Sequence, residues 1–154
     1  LYIVNSVQEE IGLRGAQMIA ERIKPDVAIV NDVCHDTNTP MINKIEQGDF
    51  KSGDGPVLSY APAVQNNLLK LLIDTAKKKK IPFQRMALSS RTGTDTDAFA
   101  YSNEGVASAL ISLPLKYMHT TVETAHRDDV ENLIKLYIEV LQNIKDGHDF
   151  RYIK

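Results

Sequence analysis

Cysteine is almost missing from this chain. Cys34 stands alone among 154 residues, which excludes an internal disulfide framework and fits a reducing cytoplasm. No apolar run approaches the ~20 residues needed to span a bilayer. There is no basic amphipathic stretch suited to a membrane surface, and no signal-peptide pattern opens the chain. Positive charge is in no excess: 18 Lys and Arg against 20 Asp and Glu give a formal net charge of −2, which argues against nucleic acid as a main partner. The one basic run, Lys77-Lys78-Lys79-Lys80, has no aromatics interleaved for base stacking. It complements a helix dipole instead. There is no internal repeat and no low-complexity segment.

What is present is core-forming material. A chain with 43% hydrophobic residues is long enough for one domain with a real interior. It begins with Leu1 rather than Met, inside an apolar run, Leu1-Tyr2-Ile3-Val4, that reads as a buried strand without a polar lead-in. The expectation is that an amino-terminal part of the natural protein lies outside this sequence.

Helical and extended patterns then alternate. Residues 14–24 read as a helix with Ala16, Ile19, Ala20 and Ile23 on one face, ended by Pro25. Val27-Ala28-Ile29-Val30 is a short continuous apolar run, the mark of a strand buried on both faces, and it ends at Asn31-Asp32. Residues 37–55 are polar and loop-like, and residues 57–60 form a short strand. Residues 64–80 predict a helix through Val64, Leu68, Leu71, Leu72 and Ala76. Residues 83–88 read as a strand, 96–103 as a short helix, and 106–113 as an apolar strand stopped by Pro114. In the last helix Asp128 and Glu131 make a capping-box-like start, and Gly147 ends it. Val130, Leu133, Ile134, Tyr137, Ile138, Leu141 and Ile144 are expected to form its buried stripe. The alternation predicts an α/β fold, a three-layer sandwich around a mostly parallel sheet.

Open α/β sheets keep their active sites at the carboxyl ends of their strands. Four acidic or imidazole-bearing places fall there: Glu9-Glu10, Asp32, Gly93-Thr94-Asp95 and Tyr117-Met118-His119. Two neighbouring carboxylates divide one task well, one ligating a metal and the other acting as general base. Carboxylates with one or two imidazoles suit zinc, cobalt or manganese. Pairs of such metals about 3.5–4 Å apart occur in aminopeptidases, phosphatases and nucleases. Spacing alone leaves the Glu pair open to a plainer reading as a solvated acidic turn, since no compact motif such as His-Glu-x-x-His is present.

Longer stretches bear on the choice. Val7-Gln8-Glu9-Glu10-Ile11-Gly12-Leu13-Arg14-Gly15-Ala16 resembles the catalytic signature of the tetrahedral, or glutamyl, aminopeptidases. These are family forty-two of the metallopeptidases, with members also labelled FrvX or endoglucanase. Asn31-Asp32-Val33 with Thr39-Pro40, and Gly93-Thr94-Asp95 with Glu104-Gly105-Val106, are similar to further motifs of that family. So are Ile111-Ser112-Leu113-Pro114-Leu115-Lys116-Tyr117-Met118-His119, Val122-Glu123 and Asp129-Val130-Glu131-Asn132, in the family's order. The resemblance implies Glu9 as general base, with Glu10 and His119 as ligands of one metal and Asp32 as a ligand of the other. Gly93, Thr94 and Asp95 would shape the substrate end of the site, with no ligand role for Asp95. It further implies two divalent metal ions, zinc or cobalt, peptide substrates, a cytoplasmic setting and a homo-oligomer, from dimer to tetrahedral dodecamer.

The family's first histidine ligand, its bridging aspartate and its inserted dimerisation domain have no counterpart here. The 154 residues therefore read as the carboxyl-terminal half of the catalytic domain, expected to bind metal weakly and turn over little peptide alone. Lys116 stands where the family usually has Arg, and Thr120 where Ser is common. The alternatives are an amide-bond deacylase of small metabolites on the same scaffold and a non-catalytic assembly subunit. His35 reads as a loop histidine lining the cleft, His126 as a local hydrogen-bond partner before a helix, and Cys34 as a buried thiol.

Overall fold

The computed structural model of the chain describes residues 1–152. Its elements follow in the order α1 (Arg14–Ile23), β1 (Val27–His35), α2 (Lys44–Gln47), β2 (Val57–Tyr60), α3 (Asn66–Lys79), β3 (Gln84–Ala87), α4 (Asp95–Ala100), β4 (Ala107–Lys116), β5 (Thr124–Ala125) and α5 (Arg127–Asn143). The sheet runs β1-β4-β2-β3, with β5 added to the end of β4. The α/β class and the layered build agree with the alternation of patterns. The sheet itself is mixed. β1 is parallel to β4 and β2 is parallel to β3, but the two couples meet antiparallel at β2 and β4. Helices α1 and α4 pack together on one face, and α3 and α5 on the other.

Strand β4 is the spine, and its composition explains its place. Seven of its ten positions, including Ala109, Leu110 and Ile111, are buried, as a strand covered on both faces requires. It also runs through Pro114 instead of stopping there. The reason is in the ladder. The Leu115 carbonyl accepts from the Asp36 N–H (2.7 Å) on the β1 side, so the neighbouring Pro114 faces the other edge. There β2 reaches only Ile111 and Ser112, and β5 only Leu115 and Lys116. An amide N–H at position 114 would have no strand to meet, and its absence removes no ladder bond. The Pro114 carbonyl accepts from Ser52 Oγ at 2.9 Å instead.

Two further expectations change for related reasons. β1 continues past Asn31-Asp32 to His35, because β4 matches it residue for residue from Val27↔Ala107 to His35↔Leu115. Leu1-Tyr2-Ile3-Val4 is not a strand: Leu1 is 91% and Ile3 94% exposed. An extended segment becomes a strand only with a neighbour to bond, and among the described residues none pairs with it.

The core joins Leu58, Leu68, Leu72, Ala109, Ile111, Leu136 and Val140, all fully buried. Each leucine there contributes about 1.5–3 kcal/mol by leaving water. In α5 the buried face is Leu133, Leu136 and Val140, while Ile134, Ile138 and Leu141 are exposed. The helix is thus rotated from the expected stripe. It also starts two residues earlier than a cap at Asp128 would place it, with His126 as its cap: His126 Nδ1 accepts from the Asp128 N–H at 3.2 Å. His148 stacks on Phe150, with ring centroids 4.5 Å apart.

Candidate active site

Glu9 and Glu10 owe their position to the start of α1. Helix starts leave amide N–H groups without intrahelical acceptors, and no side chain caps this one. The backbone just upstream does so instead. Gly12 and Leu13 donate to the Glu9 carbonyl (3.1 and 3.0 Å), Arg14 to that of Gln8 (3.4 Å), and Gly15 to that of Val7 (3.0 Å). The acidic pair therefore rides on a turn clamped to the helix. The clamp depends on Gly15, where a Cβ would stand 2.4 Å from the Val7 oxygen. Gln8 and Leu13 take left-handed conformations (φ 62° and 57°) to make the turn.

Asp32 and His119 come from the parallel couple β1–β4, in which β1 forms one edge of the sheet. Asp32 sits within β1, paired with Ser112, and one of its carboxylate oxygens accepts from the Val33 N–H at 2.7 Å. His119 follows the end of β4 in a tight turn, with Tyr117 at φ 56° and His119 at φ 63°. The turn is held by Thr120 Oγ1 donating to the Tyr117 carbonyl (2.6 Å) and by the His119 N–H donating to the Glu123 carboxylate. Backbone of this kind in non-glycine residues is uncommon and concentrates at functional sites. It brings His119 Nε2 to 3.3 Å from Glu10 Oε1. Residues more than a hundred positions apart in the chain meet there.

Gly93-Thr94-Asp95 forms the start of α4. Thr94 is its cap, accepting from the Thr96 N–H (3.2 Å), and its hydroxyl links those of Thr92 and Thr96 at 3.0 Å each. Asp97 accepts from the Thr92 and Gly93 amides at 3.1 and 3.0 Å. Asp95 is buried; one carboxylate oxygen accepts from Ser6 Oγ, and the other has no hydrogen-bond partner among the described residues.

These groups act on one another electrostatically. The Glu9 carboxyl is held above its ordinary value first by burial, then by the negative charges of Asp32, Glu10 and Asp95, with His119 opposing. Asp32 is likewise raised, first by burial and further by Asp95 and Glu10, against the Val33 hydrogen bond. Four carboxylates and one imidazole thus act on one another within a small region. Their donor set suits a divalent metal of the zinc or cobalt type, and the partnerless Asp95 oxygen is consistent with the same local excess of acceptors. Among the described residues, no three His, Cys, Asp or Glu side chains already converge on one metal position.

Beside this cluster lies a cavity of about 160 Å³, whose walls include Cys34, His35, Phe50, Met86, Thr94 and Met118. His35 lines it from the last position of β1, and Cys34 is a buried thiol, its pKa pushed up to about 12 first by burial and then by Asp32, Asp36 and Asp129. Two further buried carboxylates, Asp36 and Asp129, have structural work. Asp36 accepts from the amides of Asn38 (2.8 Å) and Ser52 (3.1 Å), and Asp129 from those of Gly53 (2.7 Å) and Gly55 (2.8 Å). Sequence reasoning missed Ser6, Asp36, Asp97 and Asp129. Thr94 with Asp97 three residues on has capping-box spacing, and Asp36 before Asn38 has that of an Asx-turn. Ser6 and Asp129 act on residues too distant in the chain to leave a local signal.

An open α/β domain carrying carboxylates and an imidazole beyond two parallel strands is the class of protein defined here. The family model of M42 glutamyl aminopeptidase matches residues 1–136, and the chain belongs to that family. It is 41% identical over 145 residues to a lysyl aminopeptidase of Pyrococcus furiosus, covering 94% of this chain and 41% of that protein. A solved TET aminopeptidase from a marine sediment archaeon of the Thaumarchaeota is similar with a TM-score of 0.84 and 35% identity, over 92% of this chain and 40% of that one. The Pyrococcus horikoshii TET1 peptidase, which assembles into a tetrahedron or a large octahedral shell, is similar with a TM-score of 0.69 and 32% identity, over 88% of this chain and 38% of that one. The chain thus spans about two fifths of the length of these relatives.

Proposed function

We propose that the protein containing this chain is a metal-dependent aminopeptidase that removes amino-terminal residues from peptides, with Glu9 as its general base. The observation that carries the reading is the state of Glu9. It is half-buried, and burial first, then the charges of Asp32, Glu10 and Asp95, raise its carboxyl above its ordinary value, the direction that makes a carboxylate a better proton acceptor. Glu10, His119 and Asp32 would hold the metals, a pair of zinc or cobalt ions. When bound, such ions polarise the scissile carbonyl and acidify water. Glu9 takes the proton from the attacking water and delivers it to the departing amine. Gly93, Thr94 and Asp95, fixed by the α4 cap, shape the end of the cleft that receives the substrate.

This reading takes the chain as the carboxyl-terminal half of a catalytic domain, with the remaining ligands and a dimerisation domain elsewhere in the full-length protein. The chain alone would then bind metal weakly and turn over little peptide. Like its solved relatives, the protein would work as a homo-oligomer, up to a tetrahedral dodecamer, in the cytoplasm. No helix among the described residues is long and apolar enough to cross a membrane.

Metal content and hydrolysis of aminoacyl-anilides by the full-length protein test the proposal. The expected result is two metals per chain, turnover abolished by chelation, and a loss of about 10²-fold or more in kcat for Glu9→Gln at unchanged metal content. Unchanged turnover in Glu9→Gln would remove Glu9 from the mechanism. Hydrolysis of N-acyl amino acids in place of peptides would make the protein a deacylase. No metal and no turnover, even with zinc or cobalt added, would leave a non-catalytic assembly subunit.

A further inference from the structure

We infer that the cavity beside the Glu9–His119 cluster receives the side chain of the substrate's amino-terminal residue, and that this residue is neutral and apolar: leucine, methionine or phenylalanine, in preference to lysine or glutamate. The inference rests on the aminopeptidase reading above and adds the substrate class to it.

Position is the first argument. Three residues of the candidate site each have an immediate chain neighbour in the cavity wall: Val33 beside Asp32, Thr94 beside Asp95, and Met118 beside His119. A peptide with its first carbonyl at the cluster would have its first side chain within reach of that wall. Size is the second. About 160 Å³ matches the roughly 150 Å³ of an apolar cavity that accepts benzene, so a phenyl ring or a leucine or methionine side chain fits.

Chemistry is the third. Phe50, Met86, Leu88, Leu110 and Met118 line the cavity together with the polar side chains of His35, Gln47 and Ser112, and among the described residues no Asp, Glu, Lys or Arg is in its wall. A charged side chain entering it would give up hydration and find no counter-ion in the wall. The Thr92 and Thr94 hydroxyls in the wall are already bonded to each other. The two methionines can adapt to ligands of different shape. The rest of the wall is set in advance. Phe50 is tied to Thr37 by three hydrogen bonds, its carbonyl accepting from the Thr37 N–H (2.9 Å) and Oγ1 (2.8 Å) and its N–H donating to Oγ1 (3.1 Å).

The test compares kcat/KM for leucyl-, methionyl-, phenylalanyl-, lysyl- and glutamyl-anilides on the metal-loaded full-length protein, with alanyl-anilide as a substrate too small to fill the cavity. The apolar three are expected to exceed the charged two by about tenfold or more. Met86→Glu is expected to lower leucyl-anilide turnover by about tenfold and to narrow or reverse its ratio to lysyl-anilide. Met86→Leu should keep the wild-type order. Should Met86→Glu not fold, Leu88→Glu carries the same expectation. A wild-type preference for the lysyl or glutamyl substrate, or a folded glutamate variant with the ratio unchanged, would overturn the inference and leave the aminopeptidase reading standing. Loss of turnover on every anilide would instead overturn both together.

Discussion

Gly15→Ala should separate catalysis from stability. A Cβ at this position would stand 2.4 Å from the Val7 oxygen and 2.6 Å from the Val7 nitrogen. A carbon tolerates a carbonyl oxygen at about 3.3 Å, so the Val7 backbone must retreat by roughly 0.9 Å. The retreat stretches the 3.0 Å bond from the Gly15 N–H to the Val7 carbonyl and carries Glu9 and Glu10 with it, two and three residues along. Misplacement of a catalytic group by about 1 Å lowers turnover by roughly 10²-fold, or ~2.7 kcal/mol in the barrier. Stability should change less. Overpacking costs about 1–3 kcal/mol, but alanine gains up to about 1 kcal/mol over glycine as a helix former, leaving about 0–2 kcal/mol lost. The measurements are kcat/KM on an aminoacyl-anilide and urea unfolding, both on the full-length protein. A variant with wild-type kcat/KM, or one losing activity only in proportion to its unfolded fraction, would refute the reasoning.

Asp36 ties acid stability to the loop amides of Asn38 and Ser52 that it accepts from. Burial raises its carboxyl, but the hydrogen bonds from Asn38 and Ser52 more than offset this and leave it below its ordinary value. The folded state therefore holds this proton less tightly than the unfolded state. Its contribution is complete above the ordinary carboxylate range and fades as pH falls through the folded value. Urea midpoints should show Asp36→Ala about 2–4 kcal/mol less stable at pH 7, with the deficit shrinking toward pH 2; a deficit independent of pH would contradict the assignment. Gly55 has φ 100°, and a Cβ there would lie 2.4 Å from the Pro82 carbonyl oxygen. Gly55→Ala should lower stability by roughly 2–4 kcal/mol, read as a fall in Tm, and an unchanged Tm would show that the β2–β3 junction yields easily.

The order of the longer elements and the carboxylates at strand ends were legible because both leave local marks, whereas the short α2, inside the stretch 37–55 read as loop, and the two-residue β5 were not. Apolar runs, caps and carboxylates at strand ends can be read over a few residues. What was hidden depends on neighbours far along the chain. Nothing within β2 or β4 says that they meet antiparallel. Pro114 breaks a strand unless the edge it faces is vacant, and only the placement of β2 and β5 makes it so. In α5, apolar residues surround too much of the helix for periodicity to choose between Leu136 and Val140, which are buried, and Ile134 and Ile138, which are not. Leu1-Tyr2-Ile3-Val4 has a strand's composition without a partner among the described residues. The site's carboxylates were visible, but the contact between Glu10 and His119 is a product of two turns in left-handed conformations that composition does not announce.

The paired amides under Asp129 have a consequence for how this molecule opens. Gly53 and Gly55 are bonded to a carboxylate in the first turn of α5, and Ser52 between them and the strands is bonded to both Asp36 and the Pro114 carbonyl. A surface loop would ordinarily exchange its amide protons through small local fluctuations. Here both glycine amides are held by one buried carboxylate on α5, the helix that carries Leu136 and Val140 into the core. Protons on Gly53 and Gly55 should thus exchange with solvent more slowly than those of a surface loop without such bonds, which makes this loop an extension of the start of α5.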